Sequence, residues 1–168
     1  MTTSSANPKV EEIRRSVQSS YAELNQFIDG PLAVLDPAKL YQSPAENEWT
    51  IMQNLAHLVE FMPYWAGEIE KLMTTPGANF GRTIQDERRL RAISEHSSDS
   101  LKQIKAVLPD SYTRLEEVLS KLKDSDLTVT GIHPRYGEKD LDWIIEDFVT
   151  GHLRGHVEQI KAAMAAVQ

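Results

Sequence analysis

Apolar residues recur at helical intervals in four stretches of this chain. Val10, Ile13, Val17, Tyr21, Leu24 and Phe27 follow the i, i+3, i+4, i+7 rule and predict a first helix that stops at Gly30-Pro31. Ile51, Leu55, Leu58, Met62, Trp65, Ile69 and Leu72 make the stripe of a second helix, starting near Trp49 or Thr50. Pro63 lies inside it and has no N–H to bond the carbonyl of Val59, so a kink is expected there. Leu101, Ile104, Leu108, Leu115, Val118 and Leu122 keep one seven-residue register through Pro109, which one kinked helix explains better than two separate ones. The last stretch runs from about Asp140 to the C-terminus, with Leu141, Ile145, Val149 and Ala163 on its apolar side.

Between these stretches the pattern breaks. A loop rich in Pro and Asp, "PLAVLDPAKLYQSPAENEW", joins the first two helices. Residues 74 to about 97 form a long connection holding a short polar helix, "DERRLRAISEH". The segment "DSDLTVTGIHPRYGEKD" breaks the pattern again; Thr128-Val129-Thr130 could be briefly extended, but one short run does not make a sheet. Four long amphipathic helices in 168 residues predict an all-α four-helix bundle forming a single domain over 1–168. The long crossover between helices 2 and 3 can carry the chain back along the bundle and leave those two parallel. The expected layout is therefore up-down-down-up.

Composition narrows the function. With 18 basic and 25 acidic residues the formal charge is −7, which favours solubility and argues against nucleic acid or an anionic membrane as partner. No run of about 18 apolar residues is present, so no membrane span is expected. The polar start "MTTSSANPKV" does not read as a signal peptide, and residues 1–8 are expected to form a flexible tail on a cytoplasmic protein. There is no cysteine, so disulfides, thiolate-bound zinc and a cysteine nucleophile are excluded. Any metal must be held by His and carboxylate, and any thiol chemistry needs an external thiol.

Two of the five histidines, His152 and His156, stand four apart in "GHLRGHVEQI". At 100° per residue both fall within roughly 20° of the centre of the last helix's apolar stripe, so both imidazoles are expected to face the bundle interior. A buried imidazole must be hydrogen-bonded or ligated. The spacing alone is equally compatible with a metal site and with two satisfied core histidines. His57, at the edge of the second helix's stripe, is the best third ligand. His96 and His133 lie in polar or Pro/Gly-rich connections and read as ordinary surface histidines. In H-L-R-G-H, Leu153 stands where a zincin protease has its catalytic Glu, and no Glu-x-x-His recurs on two helices as a di-iron bundle requires. One mononuclear site is the most these residues support.

The order of these segments resembles the DinB-like superfamily, also called the DinB/YfiT family. A Trp-initiated second helix, "EWTIMQNLAHLVEFMPYW", carries one His, and a loop "IHPRYGEKDLDWIIEDFVTGHLRGHVEQI" leads into a last helix carrying H-x-x-x-H. The resemblance covers nearly the whole chain. It implies an up-down-down-up bundle, often a homodimer, and one divalent metal, nickel or zinc, at the positions of His57, His152 and His156. It also implies a transferase or isomerase using a low-molecular-weight thiol such as bacillithiol or mycothiol, on a small-molecule substrate and without DNA binding.

The neighbours of such a site are readable in part. Glu60 and Tyr64 follow His57 by three and seven residues and share its side of the helix. Glu60 reads as a ligand, a proton acceptor or a partner of His57, or else as a solvated surface charge. Tyr64 reads as a hydrogen-bond donor to substrate, or as packing. Trp49 and Trp143 are expected in the core, and Arg135 and Arg154 read either as contacts for an anionic substrate or as ordinary surface arginines. Two functions remain open at this point: a metal-dependent enzyme, thiol S-transferase before hydrolase, or a non-catalytic, stress-associated dimeric bundle that binds metal or ligand.

Overall fold

A computed structural model describes residues 6–168. Of the expected tail, residues 1–5 lie outside the described residues; Pro8 is not part of a tail but the first residue of α1 (Pro8–Asp29), where its missing N–H is harmless. Helix α2 (Ile51–Thr74) opens on a capping box: Gln53 N–H donates to Thr50 Oγ1 and Thr50 N–H to the Gln53 side chain. Ser100 and Gln103 start α4 (Leu101–Leu119) with the same device. The short helix α3 (Glu87–His96) lies in the crossover. The last bundle helix is built from α5 (Leu141–Ile145), one π-turn (Glu146–Thr150) and α6 (Gly151–Val167).

Cross-helix pairs give the directions. Arg14 pairs with Glu116 and Lys105 with Asp29, so α1 and α4 are antiparallel. The Ser111 hydroxyl meets the Val59 carbonyl and Arg114 meets Glu70, so α2 and α4 are parallel. Lys9 pairs with Asp142 and Lys161 with Glu23, so the last helix runs with α1. The bundle is up-down-down-up, with the long crossover between its second and third helices. One apolar core joins all four, including Val17, Leu24, Leu55, Met62, Leu115, Ile145 and Ile160. Each such side chain stabilises the fold by about 1.5–3 kcal/mol through removal from water. No helix among the described residues is long and apolar enough to cross a membrane.

Helix α2 runs on through Pro63, and α4 through Pro109. The Val59 carbonyl that Pro63 leaves without an intrahelical donor accepts a hydrogen bond from buried Ser111, Oγ to O 2.7 Å. The break in one helix is thus satisfied by its parallel neighbour, as a buried carbonyl requires.

The segment read as patternless contains a hairpin. Strands β1 (Thr130–His133) and β2 (Gly137–Asp140) pair antiparallel, from Thr130 opposite Asp140 to His133 opposite Gly137. The expectation of no sheet fails because β1 finds partners on both sides. Phe80 N–H donates to the Ile132 carbonyl and Ile132 N–H to that of Ala78, both at 3.0 Å, so the start of the crossover is strapped to the hairpin. Gly131 lets the strap pack tightly: a Cβ there would stand 2.5 Å from a Leu72 methyl and 2.7 Å from the Phe80 ring.

The π-turn shifts the last helix. One extra residue rotates everything after it by about 100°. Burial runs through Leu141, Ile144 and Ile145 before the turn, Val149 and Thr150 within it, and Leu153, His156, Val157 and Ile160 after it. Leu153 takes the central core position, and His152 moves from the expected centre of the stripe to its edge. The turn explains Gly151, whose absent Cβ would lie 2.8 Å from the Glu146 carbonyl oxygen.

Candidate metal centre

Antiparallel α2 and α6 bring His57, His152 and His156 together. Nε2 of His152 lies 3.0 Å from Nε2 of His57 and 3.0 Å from Nε2 of His156. One ligand atom from each of the three lies within 4.8 Å of the other two. The proton positions follow from what holds each ring. Asn54 Nδ2 donates to the Thr50 carbonyl (3.0 Å), which turns its Oδ1 towards His156 Nδ1 at 2.8 Å. His156 therefore carries its proton on Nδ1 and offers a lone pair at Nε2. His57 Nδ1 is buried without a hydrogen-bond partner, and the nearest carboxylate oxygen, Glu60 Oε2, is 3.6 Å away.

Burial keeps all three rings neutral. It lowers the His57 pKa against the opposing pull of Glu60. Burial, with the charge of His57 next, pushes His152 down to about 4. Burial, with His152 and His57 next, pushes His156 down to about 2. Neutral imidazole nitrogens converging on one point form a poor hydrogen-bonded cluster, since a single N–H on His152 can satisfy only one of its two neighbours. They form a good set of ligands for a divalent ion.

Aromatic walls hold the rings in place. Trp49 stacks on His156 (centroids 5.8 Å apart) and meets His57 edge-on, while Phe61 stacks on His152 at 4.7 Å. Trp49, expected in the core, is half-buried and forms a wall of a pocket of about 680 Å³. His152, His156, Asn54, Arg89, Gln159 and Ala163 also line this pocket. A second hollow, on the outer side of α6 at Gly151 and Gly155, reaches His152 and His156 as well.

Glu60 and Tyr64 stand beside this arrangement but do not line the pocket. Arg82 grips the Glu60 carboxylate, with Nη2 2.7 Å from Oε2 and Nη1 2.5 Å from Oε1. Burial raises the Glu60 pKa, but His57 and Arg82 outweigh it and hold the carboxyl below its usual range. Glu60 is thus neither a solvated charge nor a free base. Arg82 also lies over the Tyr64 ring, 3.7 Å from its centroid, and burial raises the phenol's pKa.

The remaining candidates lie elsewhere. His133, read as a surface residue, is 4% exposed and sits among Phe80, Tyr136 and Phe148. His96 is partly exposed and pairs with Asp99 at 2.8 Å. Arg135 is exposed beside Tyr136, and Arg154 is exposed and pairs with Glu146. Trp143 is half-buried under Lys139 and against Phe148, not in the core.

Three neighbours of the site were not foreseen. Asn54 had a readable signal, a polar residue one turn before His57 in an otherwise apolar stripe. Arg82 and Arg89 had none, because the crossover folds back along α2 to deliver them.

Fold and site together define a four-helix bundle with a convergent three-histidine group between its second and last helices. The chain belongs to the DinB superfamily, whose sequence model matches residues 29–160. Comparison with characterised proteins by sequence finds no significant match. Among solved structures it is similar to YfiT from Bacillus subtilis, described as "a probable metal-dependent hydrolase with an unusual four-helix bundle topology". That likeness has a TM-score of 0.76 at 16% identity and covers 97% of this chain and 89% of that one. It is also similar to TT2238, "a four-helix bundle protein" (TM-score 0.63, 21% identity, 92% and 99% covered). A mycothiol-dependent maleylpyruvate isomerase matches at TM-score 0.64 and 12% identity; 94% of this chain spans only 60% of that enzyme. At these identities the likeness is one of fold.

Proposed function

We propose that the protein binds one divalent metal ion, nickel or zinc, through Nε2 of His57, His152 and His156. We take it to be a metal-dependent enzyme that transfers a group between a small molecule and an external low-molecular-weight thiol. The observation that carries this reading is the convergence of three neutral imidazole nitrogens on one point beside an open pocket. Asn54 holds His156 in the ligating tautomer, and Glu60, fixed by Arg82, faces Nδ1 of His57.

Bound there, the ion would supply Lewis acidity and keep a coordinated thiol deprotonated. Thiol transfer fits the lining better than hydrolysis. Hydrolysis calls for a general base near the reacting water, but Glu60 is locked to Arg82 and Glu48, the acid of the pocket lining, stands exposed on its rim. A thiol already held as thiolate needs no base. The half-exposed His152 and the open pocket favour catalysis over a purely structural ion, whose site would be closed. We further take the protein to act as a cytoplasmic homodimer, which size-exclusion chromatography with light scattering would check.

Elemental analysis of protein purified without a His-tag tests the core of this reading. About one divalent ion per chain is expected, lost in a His152→Ala/His156→Ala variant. Metal-loaded protein should then consume a supplied thiol in the presence of an electrophile panel. A chain that takes up neither nickel nor zinc on dialysis would sink the reading.

A further inference from the structure

The pocket beside the histidines has one cationic wall. Arg89, in the first turn of α3, is half-buried with its guanidinium 5.1 Å from the centre of the Trp49 ring. Among the described residues its side chain meets one hydrogen-bond acceptor, the Ile84 carbonyl at 3.0 Å, and no carboxylate within ion-pair distance. The other half-buried arginines of the bundle have their acids: Arg14 has Glu116, Arg82 has Glu60 and Arg114 has Glu70. Asp86, three residues before Arg89, accepts instead from the backbone N–H groups of Arg88 and Arg89. A guanidinium that has lost much of its water and gained no counter-charge is incomplete.

The rest of the lining defines the missing partner. Ala162, Ala163 and Ala166 make an apolar floor facing Trp49, and Glu48 stands at the exposed rim. Asn54 is committed to the Thr50 carbonyl and to His156 Nδ1, and His156 Nε2 points into the three-histidine group. We infer that Arg89 selects the substrate of this site, and that the substrate is a small organic carboxylate whose acid group is held by the guanidinium while its apolar body lies between Trp49 and the alanine floor. One planar guanidinium matches one carboxylate with two parallel hydrogen bonds. A phosphate dianion would leave further charge without a donor. This inference rests on the reading of the pocket as the substrate site, but it does not require the metal to be bound.

Calorimetric titration with benzoate, its neutral isostere benzamide, and phenyl phosphate tests it. The titrations use wild type, Arg89→Gln, Arg89→Lys and Arg91→Gln, each zinc-loaded and chelator-treated; Arg91 is exposed on the same helix. Wild type should bind benzoate over benzamide by about tenfold to hundredfold, the range of a charge-assisted hydrogen-bonded pair. Arg89→Gln should abolish that preference in both metal states, Arg89→Lys should fall between, and Arg91→Gln should keep it. If the Gln variant loses its helical circular dichroism, the ratio between wild type and Arg89→Lys decides. Benzoate binding that is absent, or indifferent to Arg89, overturns the inference, as does tighter Arg89-dependent binding of phenyl phosphate. The metal reading fails separately: no zinc uptake with Arg89-dependent benzoate binding removes the metal and leaves this inference standing.

Discussion

His133 and the group of His57, His152 and His156 are both built from imidazoles packed against aromatic rings, yet they do different things. Nδ1 of His133 accepts from the backbone N–H groups of Arg135 (3.1 Å) and Tyr136 (3.3 Å), so the ring closes the hairpin turn. Its Nε2 is buried with no partner, in space left by Gly81, where a Cβ would stand 2.7 Å away. No second donor points at that nitrogen. In the bundle, Nε2 atoms from two helices point at one another, and Asn54 fixes where one of the protons sits. Burial and a lowered pKa are common to both places. Convergence is what distinguishes a ligand set from a packed side chain.

That contrast can be broken by experiment. The largest effect is expected on metal content: His57→Ala should lose the ion while His133→Ala keeps about one per chain, as read by elemental analysis. Equal loss in both would mean that the ion follows general folding and not the three-histidine group. The next is stability. His133→Ala leaves a cavity among Phe80, Tyr136 and Phe148, which should lower the unfolding free energy by about 2–4 kcal/mol in a urea titration.

The third effect is on pH dependence in the metal-free protein. Burial holds His152 in the folded chain at a pKa of about 4, below its ordinary value. The unfolded chain therefore takes up its proton first as the pH falls. This part of the stability is complete above about pH 6.5 and is lost on descent towards the folded pKa. Between about pH 7 and pH 5 the loss through His152 is on the order of 2 kcal/mol. His152→Leu should flatten that decline; an unchanged slope would refute the assignment. The smallest effect should come from Asn54→Leu, which removes the acceptor that sets the His156 tautomer and should weaken zinc binding about tenfold without abolishing it.

Much of this architecture was legible because it is local. The stripes on α1, α2 and α4 and the arrest at Gly30 follow from periodicity and stop residues, and the length of the crossover allowed the parallel pair. What could not be read has a common cause. The hairpin exists because the crossover supplies β1 with a second edge, and Ser111 matters because a parallel helix puts it opposite the carbonyl that Pro63 freed. Both are pairings across more than fifty residues of chain.

The sequence by itself determined the number of bundle helices, the absence of thiol ligands, and three histidines on two apolar faces, because side-chain spacing on a helix is set by its 3.6-residue turn. Only the tertiary structure decided which of the buried histidines converge. The π-turn rotated α6 so that His152 lines a pocket instead of the core, and the crossover returned along α2 to place Arg82 on Glu60 and Arg89 beside Trp49. Those outcomes depend on how helices pack and where a distant segment lands, and no short-range spacing encodes that.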